Sequence, residues 1–304
     1  MTTIKVIGVN MTKKTTILVC FLVISISSLA PAQEKGPYYE LDPKPYDPSV
    51  DVNVDMFMSH WKESNPRPAY GSLIIRDIFT KNISDNPLKP HERGAVLNVL
   101  NEYAYGTLAT ETSTIPSTLK GEQKIFYFIG GEGTISAGKK KSDVYAYVAV
   151  LIPEGLEFTI TNIGTEPLNM IIVGENIPKG FKPRKDMLVR DENMLPITGT
   201  TGHWVNINKH LFNRNDGLAT IIGMSPVWLD PLTMAQPHAS LGLGTDVLWV
   251  ALEGDIYTLL GKKLRHLTPG TAFKNPSDGK VYHANINVTD KPIKLLWTRS
   301  IKPQ

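Results

Sequence analysis

The chain has 304 residues, with 32 Lys and Arg against 29 Asp and Glu, 41% apolar residues and 20% charged residues. That is enough apolar material for packed cores and too little charge for a disordered protein. Lys5, Lys13 and Lys14 fall in an N-terminal leader that holds no acid. The remainder is therefore neutral, and its totals give no broad reason to bind nucleic acid or an anionic membrane.

From Met11 the order is Met-Thr-Lys-Lys, an apolar run from Ile17 to Leu29, then Ala30-Pro31-Ala32 before Gln33. This three-part order is that of a secretory signal peptide, so Met11 is read as the start and residues 1–32 as a leader cleaved after Ala32. The run is shorter than the roughly 20 residues that span a bilayer, so no stable membrane anchor is expected. The predicted location is outside the cytoplasm, periplasmic or extracellular. Cys20, the only cysteine, lies inside the run and lacks the small preceding residue of a lipid-modified cysteine. Cleavage thus removes the only thiol, which excludes disulfides, thiolate metal ligands and a cysteine nucleophile from the exported chain. About 270 residues follow the leader, a length that usually holds two domains.

A Pro-rich stretch comes next, with Pro37, Pro43, Pro45, Pro48 and Pro66. Residues 33–68 are predicted to run over the surface as an extended arm. Beyond it, short apolar and β-branched runs such as Val148 to Ile152, Phe158 to Thr161 and Leu295 to Thr298 are punctuated by Gly, Pro, Asn and Asp, an all-β pattern. The pattern repeats. Gly131 and Gly254, Phe126 and Trp249, and Pro153 and Pro276 recur at an offset of 123, and Asn162 and Asn287 at 125. One unit is therefore present twice. The expected organisation is a first domain over 69–184, then a linker and second domain over 185–304. The triplets Asn82-Ile83-Ser84 and Asn287-Val288-Thr289 match the glycosylation acceptor pattern by composition alone and are assigned no role.

The run Lys124 to Gly133 resembles the end of the first sequence motif of the cupin family, His-x-His, three or four residues, Glu, six residues, Gly. Pro153-Glu154-Gly155 through Asn162 resembles the second, Pro-x-Gly, two residues, His, three residues, Asn, with one replacement. Val247 to Gly254 and Pro276 to Asn287 repeat both. The resemblance, which covers nearly everything from about residue 70 onward, implies two cupin-type double-stranded β-helix (jelly-roll) barrels behind an N-terminal arm.

In cupins the motif histidines and glutamate resemble a 3-His-1-carboxylate shell for Fe, Mn, Ni, Cu or Zn, with open positions for substrate. In the first copy the glutamate position is Lys124, the second-motif histidine position is Phe158, and the offset of 123 places the first-motif histidines at Ile115 and Ser117. No ligand is expected there, and a lysine ammonium repels a divalent ion. The second copy has His238 and His283 at two ligand positions, Ser240 at a third, and Val247 at the glutamate position with Asp246 beside it. One divalent transition metal is therefore expected, if at all, in the second barrel, on His238, His283 and Asp246. Strand alternation turns Asp246 to the opposite face unless a bulge brings it back.

Tyr282, next to His283, is the candidate proton donor. Trp249 and Trp297 read as core, and with Trp228 they are the aromatic candidates for stacking on a ligand. His60, His91, His203, His210 and His266 match no motif position and read as surface or packing residues. Two functions stay open: an exported bicupin acting on or binding a small molecule, carbohydrate-derived or an organic acid, in the second barrel with or without metal; or a metal-free ligand-binding or scaffold protein without catalysis. The resemblance leaves a monomer and a homodimer both open.

Overall fold

The computed structural model describes residues 45–198, 206–240, 242 and 244–303. The leader, its cleavage site, His203 and the start of the arm lie outside these residues. From Tyr46 onward the chain forms one compact unit. It is built of antiparallel strands and short 3-10 turns, apart from one parallel pairing of Leu73–Lys81 with Ala95–Leu97. Among the described residues no helix is long and apolar enough to cross a membrane.

Each repeat supplies a large and a small sheet facing each other. In the first, the large sheet runs through Val148–Ile152, Glu122–Gly130, Leu168–Asn176, Leu100–Leu108 and Leu73–Lys81, and the small one through Ser117–Thr118, Glu157–Asn162, Glu132–Ala137 and Lys140–Tyr145. In the second they are Thr271–Lys274, Asp246–Glu253, Ile293–Ser300, Ile221–Leu229 and Asn206–Asn208, and His238–Ala239, Tyr282–Ile286, Ile256–Leu260 and Lys263–Leu267. Strand Glu122–Gly130 shows why the central strands are apolar on both faces. Phe126 and Phe128 point into the barrel, while Ile125 and Tyr127 point into a second core. There the outer faces of the two large sheets meet, Ile125 and Leu151 sharing one cluster with Leu248, Val250 and Leu296.

The motif residues outside the ligand positions are structural. Gly131 and Gly254 sit at φ of 81° and 82° where the chain turns between strands, a conformation that costs glycine least. The Asn162 amide donates to the carbonyls of Leu108 and Glu166, and the Asn287 amide to those of Leu229, Asp230 and Lys291. Both side chains are buried, so the triplet at Asn287 offers no accessible glycan acceptor.

Pairing gives the true correspondence of the copies. Ile172 lies between Ala104 and Phe126 as Trp297 lies between Ser225 and Trp249. Ser117 faces Phe158 as His238 faces His283. The early strands therefore correspond at an offset of 121 (Ala104 to Ser225, Ser117 to His238), so Ser117, and not Ile115, stands where His238 does. Ile115 is 60% exposed.

The predicted arm is also different over its described part. Met58–His60 pairs with Thr271–Lys274 at the edge of the second barrel's large sheet, and Val54 and Met58 are buried in that barrel's core. Reciprocally, Leu188–Asp191, predicted as linker to the second domain, pairs with Val148–Ile152 of the first barrel. Each added strand runs straight into a 3-10 turn, Trp61–Glu63 or Glu192–Met194, capped by the side chain before it, His60 or Asp191. The segment preceding each barrel thus closes the open edge of the other, which covers backbone groups that would otherwise pair with a foreign strand.

Candidate functional site: the second barrel

The first barrel is filled. Phe126, Phe128, Phe158 and Ile172 are all buried in one cluster, and Tyr70 meets Phe158 edge-on at 5.2 Å. At its mouth Lys124 pairs with Glu102 at 2.8 Å and Glu122 at 3.2 Å and reaches the Tyr70 hydroxyl at 2.9 Å, while Arg67 pairs with Glu102 and Asp77. Burial pulls the Lys124 ammonium down, but the charge of Glu102 outweighs it and holds the pKa above the usual lysine value. Lys124 is thus a fixed cation in a closed ion network, not a nucleophile.

The second barrel holds a cavity of about 740 Å³. The residues that make the difference can be read register by register. Ala104, Ile172 and Phe126 become Ser225, Trp297 and Trp249; Glu102, Gly174 and Lys124 become Gly223, Arg299 and Val247. Leu73 and Ile75, buried and apolar, give way to Asn206 and Asn208, since Ile75 pairs with Gly106 as Asn208 pairs with Val227. Asn206, Asn208 and His210 follow at intervals of two and all line the cavity, with His210 Nδ1 3.1 Å from the Ser225 hydroxyl.

His238 and His283 line the same cavity and stand directly opposite each other on neighbouring strands, ring centroids 4.1 Å apart. His238 Nδ1 lies 3.0 Å from the Gln236 carbonyl, which can only accept, so Nδ1 is the donor in this contact and the Nε2 edge is the other polar end of the ring. His283 is buried, and its Nε2 lies 2.8 Å from the Asn275 amide nitrogen, which also donates to Ser240 Oγ at 3.2 Å. Asn275 replaces Ile152 of the first barrel, so the second imidazole brought its own polar support.

Two predicted site residues are elsewhere. Asp246 is completely buried on the opposite face of its strand, because the pairing with Ile293–Ser300 runs without a bulge through Asp246 and Val247. Its carboxylate accepts the backbone N–H groups of Asn98, Val99 and Leu100, each at 2.9 Å, and pairs with Lys274 at 2.8 Å. Glu175 does the converse from the first barrel, accepting the N–H groups of Ala219, Thr220 and Ile221. These carboxylates are the polar anchors of the interface between the barrels. Tyr282 is 54% exposed and does not line the cavity, since the alternation that turns His283 inward turns its neighbour outward.

Among the described residues the donor set does not fit the expected metal shell. Of the three described imidazoles in the cavity only His238 and His283 stand at motif positions, Val247 occupies the carboxylate position, Asp246 faces away, and His283 Nε2 is engaged by an amide N–H. Among the described residues no group of three His, Cys, Asp or Glu side chains gathers in a metal-holding arrangement. Of the other histidines, His60 caps a turn, His91 and His266 lie beside Glu92 and Asp255, and His210, read as surface or packing, is exposed yet lines the cavity. Trp249 and Trp297 line it too, whereas Trp228 does not. Asn206, Asn208, Ser225 and Arg299 were not foreseen. Their signal was polar residues at intervals of two in strands whose first-copy counterparts are apolar.

No protein-family profile matches the sequence, and no curated protein matches it. Solved structures do match. A putative glyoxylate-induced protein from Pseudomonas aeruginosa has a TM-score of 0.61 at 12% identity, over 81% of this chain and 85% of that one. The oxalate decarboxylase of Lactobacillus farciminis, solved as a formate complex, has a TM-score of 0.59 at 10% identity, over 82% and 86%. The 7S globulin of Momordica charantia has a TM-score of 0.58 at 12% identity, over 80% and 84%. The chain has the cupin fold, all-β and jelly-roll in both of its repeats. At these identities the likeness is one of fold, and function rests on the cavity itself.

Proposed function

We propose that this protein binds a small molecule in its second barrel without a resident transition metal, and that the first barrel is a filled structural partner. The observation that carries the reading is the 740 Å³ cavity with His238 and His283 facing each other, at the registers where the first barrel packs Ser117 and Phe158. Cavities of this size with a few convergent polar groups are the usual form of a small-molecule site. His238, oriented by Gln236, offers its Nε2 edge to the ligand, and His283, held by Asn275, forms the wall behind it. The leader makes the protein an exported one, so the mature form should start at Gln33 by mass spectrometry.

The test is a plug. A Val227→Trp variant fills the second cavity and should abolish the thermal shifts that small polar compounds give with the wild type, whereas Ile115→Ala, on the exposed rim of the first barrel, should leave them intact. Unchanged shifts in the plugged variant would overturn the reading. A metal-dependent reading keeps one observation, the 4.1 Å separation of the two rings, which lets two imidazoles approach one ion. Elemental analysis decides it: the proposal expects well under one transition metal per chain, and a full equivalent lost in His283→Ala would restore the metal.

A further inference from the structure

The charge of the cavity has been inverted relative to a metal-binding one. No Asp or Glu is among the described residues that line it, whereas Arg299 and three histidines are. The Arg299 side chain makes no ion pair or hydrogen bond with another described residue, and its Nε is buried without a partner. Its surroundings explain how it comes to be alone. The first barrel has Gly174 at this register, flanked by Glu102 and Lys124, which neutralise each other. In the second barrel the flanking pair is Gly223 and Val247. The acid that would have neutralised a cation is replaced by a glycine, and the Trp297 ring lies over that glycine so closely that a Cβ there would stand 2.8 Å from it. Val247, at the register where the motif has its carboxylate ligand, is the direct strand neighbour of Arg299. A guanidinium thus stands beside the place that a metal's anionic ligand would take.

We propose that the ligand of the second barrel is a hydroxylated organic carboxylate, its carboxylate held by Arg299 and its hydroxyls by Asn206, Asn208 and His238. This rests on the reading of the second barrel as the binding compartment and adds the chemical class. A guanidinium presents a planar fork that matches a carboxylate with two parallel hydrogen bonds. One guanidinium, with no lysine among the described residues of the cavity wall, balances a single negative charge and so fits a carboxylate better than a phosphate dianion. Asparagine amides offer both donors and acceptors, as a hydroxyl requires, and they replace Leu73 and Ile75 where an apolar filling sufficed.

Calorimetric titration of the full exported chain tests this with D-galacturonate, D-glucuronate, D-gluconate and L-tartrate against D-galactose, D-glucose, acetate and inorganic phosphate. At least one hydroxylated acid should bind ten-fold or more tighter than its neutral counterpart and than acetate. Arg299→Gln should erase the advantage over the neutral sugar, and Asn208→Leu the advantage over acetate. Arg299→Lys, which keeps charge and stem but not the fork, should fall between, so a misfolded glutamine variant does not end the test. Neutral sugars binding equally well, phosphate binding best, or an acid preference that survives loss of Arg299 would each overturn the carboxylate assignment alone. If no compound binds, or if binding survives the Val227→Trp plug, the reading of the second barrel falls with it.

Discussion

At the level of Ile172 and Trp297 the two barrels share the same three strands and hold different contents. The first places Ala104, Ile172 and Phe126 side by side, and the second Ser225, Trp297 and Trp249 around open space. Fully burying a large apolar side chain contributes roughly 1.5–3 kcal/mol, so a hollow, polar-lined barrel gives up part of what its twin retains. The second barrel is supported from outside instead. It shares the buried core between the sheets, receives the Met58–His60 strand on its edge, and docks through Asp246 and Glu175 onto backbone N–H groups across the interface. A duplicated fold can thus keep one copy for packing and free the other for a ligand.

The largest break in this comparison is expected at Asp246. Asp246→Ala leaves Lys274, 1% exposed, as an uncompensated buried cation and strips three N–H groups of their acceptor. The expected loss is about 3–5 kcal/mol in urea denaturation. Burial already presses the Lys274 pKa below the usual lysine value, against the pull of Asp246, so removing the acid leaves only the burial penalty. A double replacement, Asp246→Leu with Lys274→Met, should recover the part of the loss that comes from the unpaired charge, while the three N–H groups remain without their acceptor. Were Asp246 a ligand-binding residue instead, the single variant would lose binding with little change in stability.

A smaller contrast separates Phe158 from His283, which occupy the same register. Phe158→Ala opens a void in a filled core and should cost roughly 3–5 kcal/mol. His283→Ala enlarges a space that already exists and takes one of the two acceptors of the Asn275 amide, leaving Ser240 Oγ, which should cost about 1–3 kcal/mol. Equal costs at the two positions would mean that the second barrel is packed as tightly as the first.

How much of this was legible in the sequence depends on the distance over which a residue acts. Gly131 and Gly254, Asn162 and Asn287, and the two Pro-x-x-Gly or Pro-x-Gly turns act within a few residues, so the repeat and the barrels could be read directly. Alternation alone also placed Asp246 away from His283, and no bulge intervened. The strand exchange was hidden because Met58 meets Phe273 and Val150 meets Val189 through backbone hydrogen bonds, which leave no mark on side-chain identity. The Pro-rich flanks of Met58–His60 read as an exposed arm for that reason. The cavity was hidden for another. Asn206, Asn208 and Arg299 look like ordinary exposed positions of an edge or last strand until the register shows that Leu73, Ile75 and Gly174 stand in the same places.

The two exchanged strands themselves make the finest comparison, and acid separates them. The Leu188–Asp191 strand is held by the turn after it, where Glu192, 3% exposed at its side chain, pairs with buried Lys294 at 2.7 Å. The segment leading into Met58–His60 is held by Asp55, 46% exposed, which pairs with Arg265 at 2.7 Å and Lys263 at 3.0 Å. Partial burial alone would raise the Asp55 pKa, but the hydrogen bonds and charge of Arg265 and Lys263 outweigh it and hold the carboxyl below its ordinary 3.8. A carboxyl depressed by folding contributes stability that is present above its unfolded value and lost as pH falls through the folded one. Exposed pairs of this kind contribute about 0.2–1 kcal/mol, so the effect is local. Limited proteolysis of the segment before Met58 should therefore quicken modestly as pH drops below 3.8, and Asp55→Asn should show the faster rate already at neutral pH. The two proteins should converge in acid, because both then carry a neutral side chain at this place. A gap between them that stays constant from neutral pH into acid would show that the Asp55 ion pairs do not hold the exchanged strand, and that its buried residues Val54, Phe57 and Met58 do so alone.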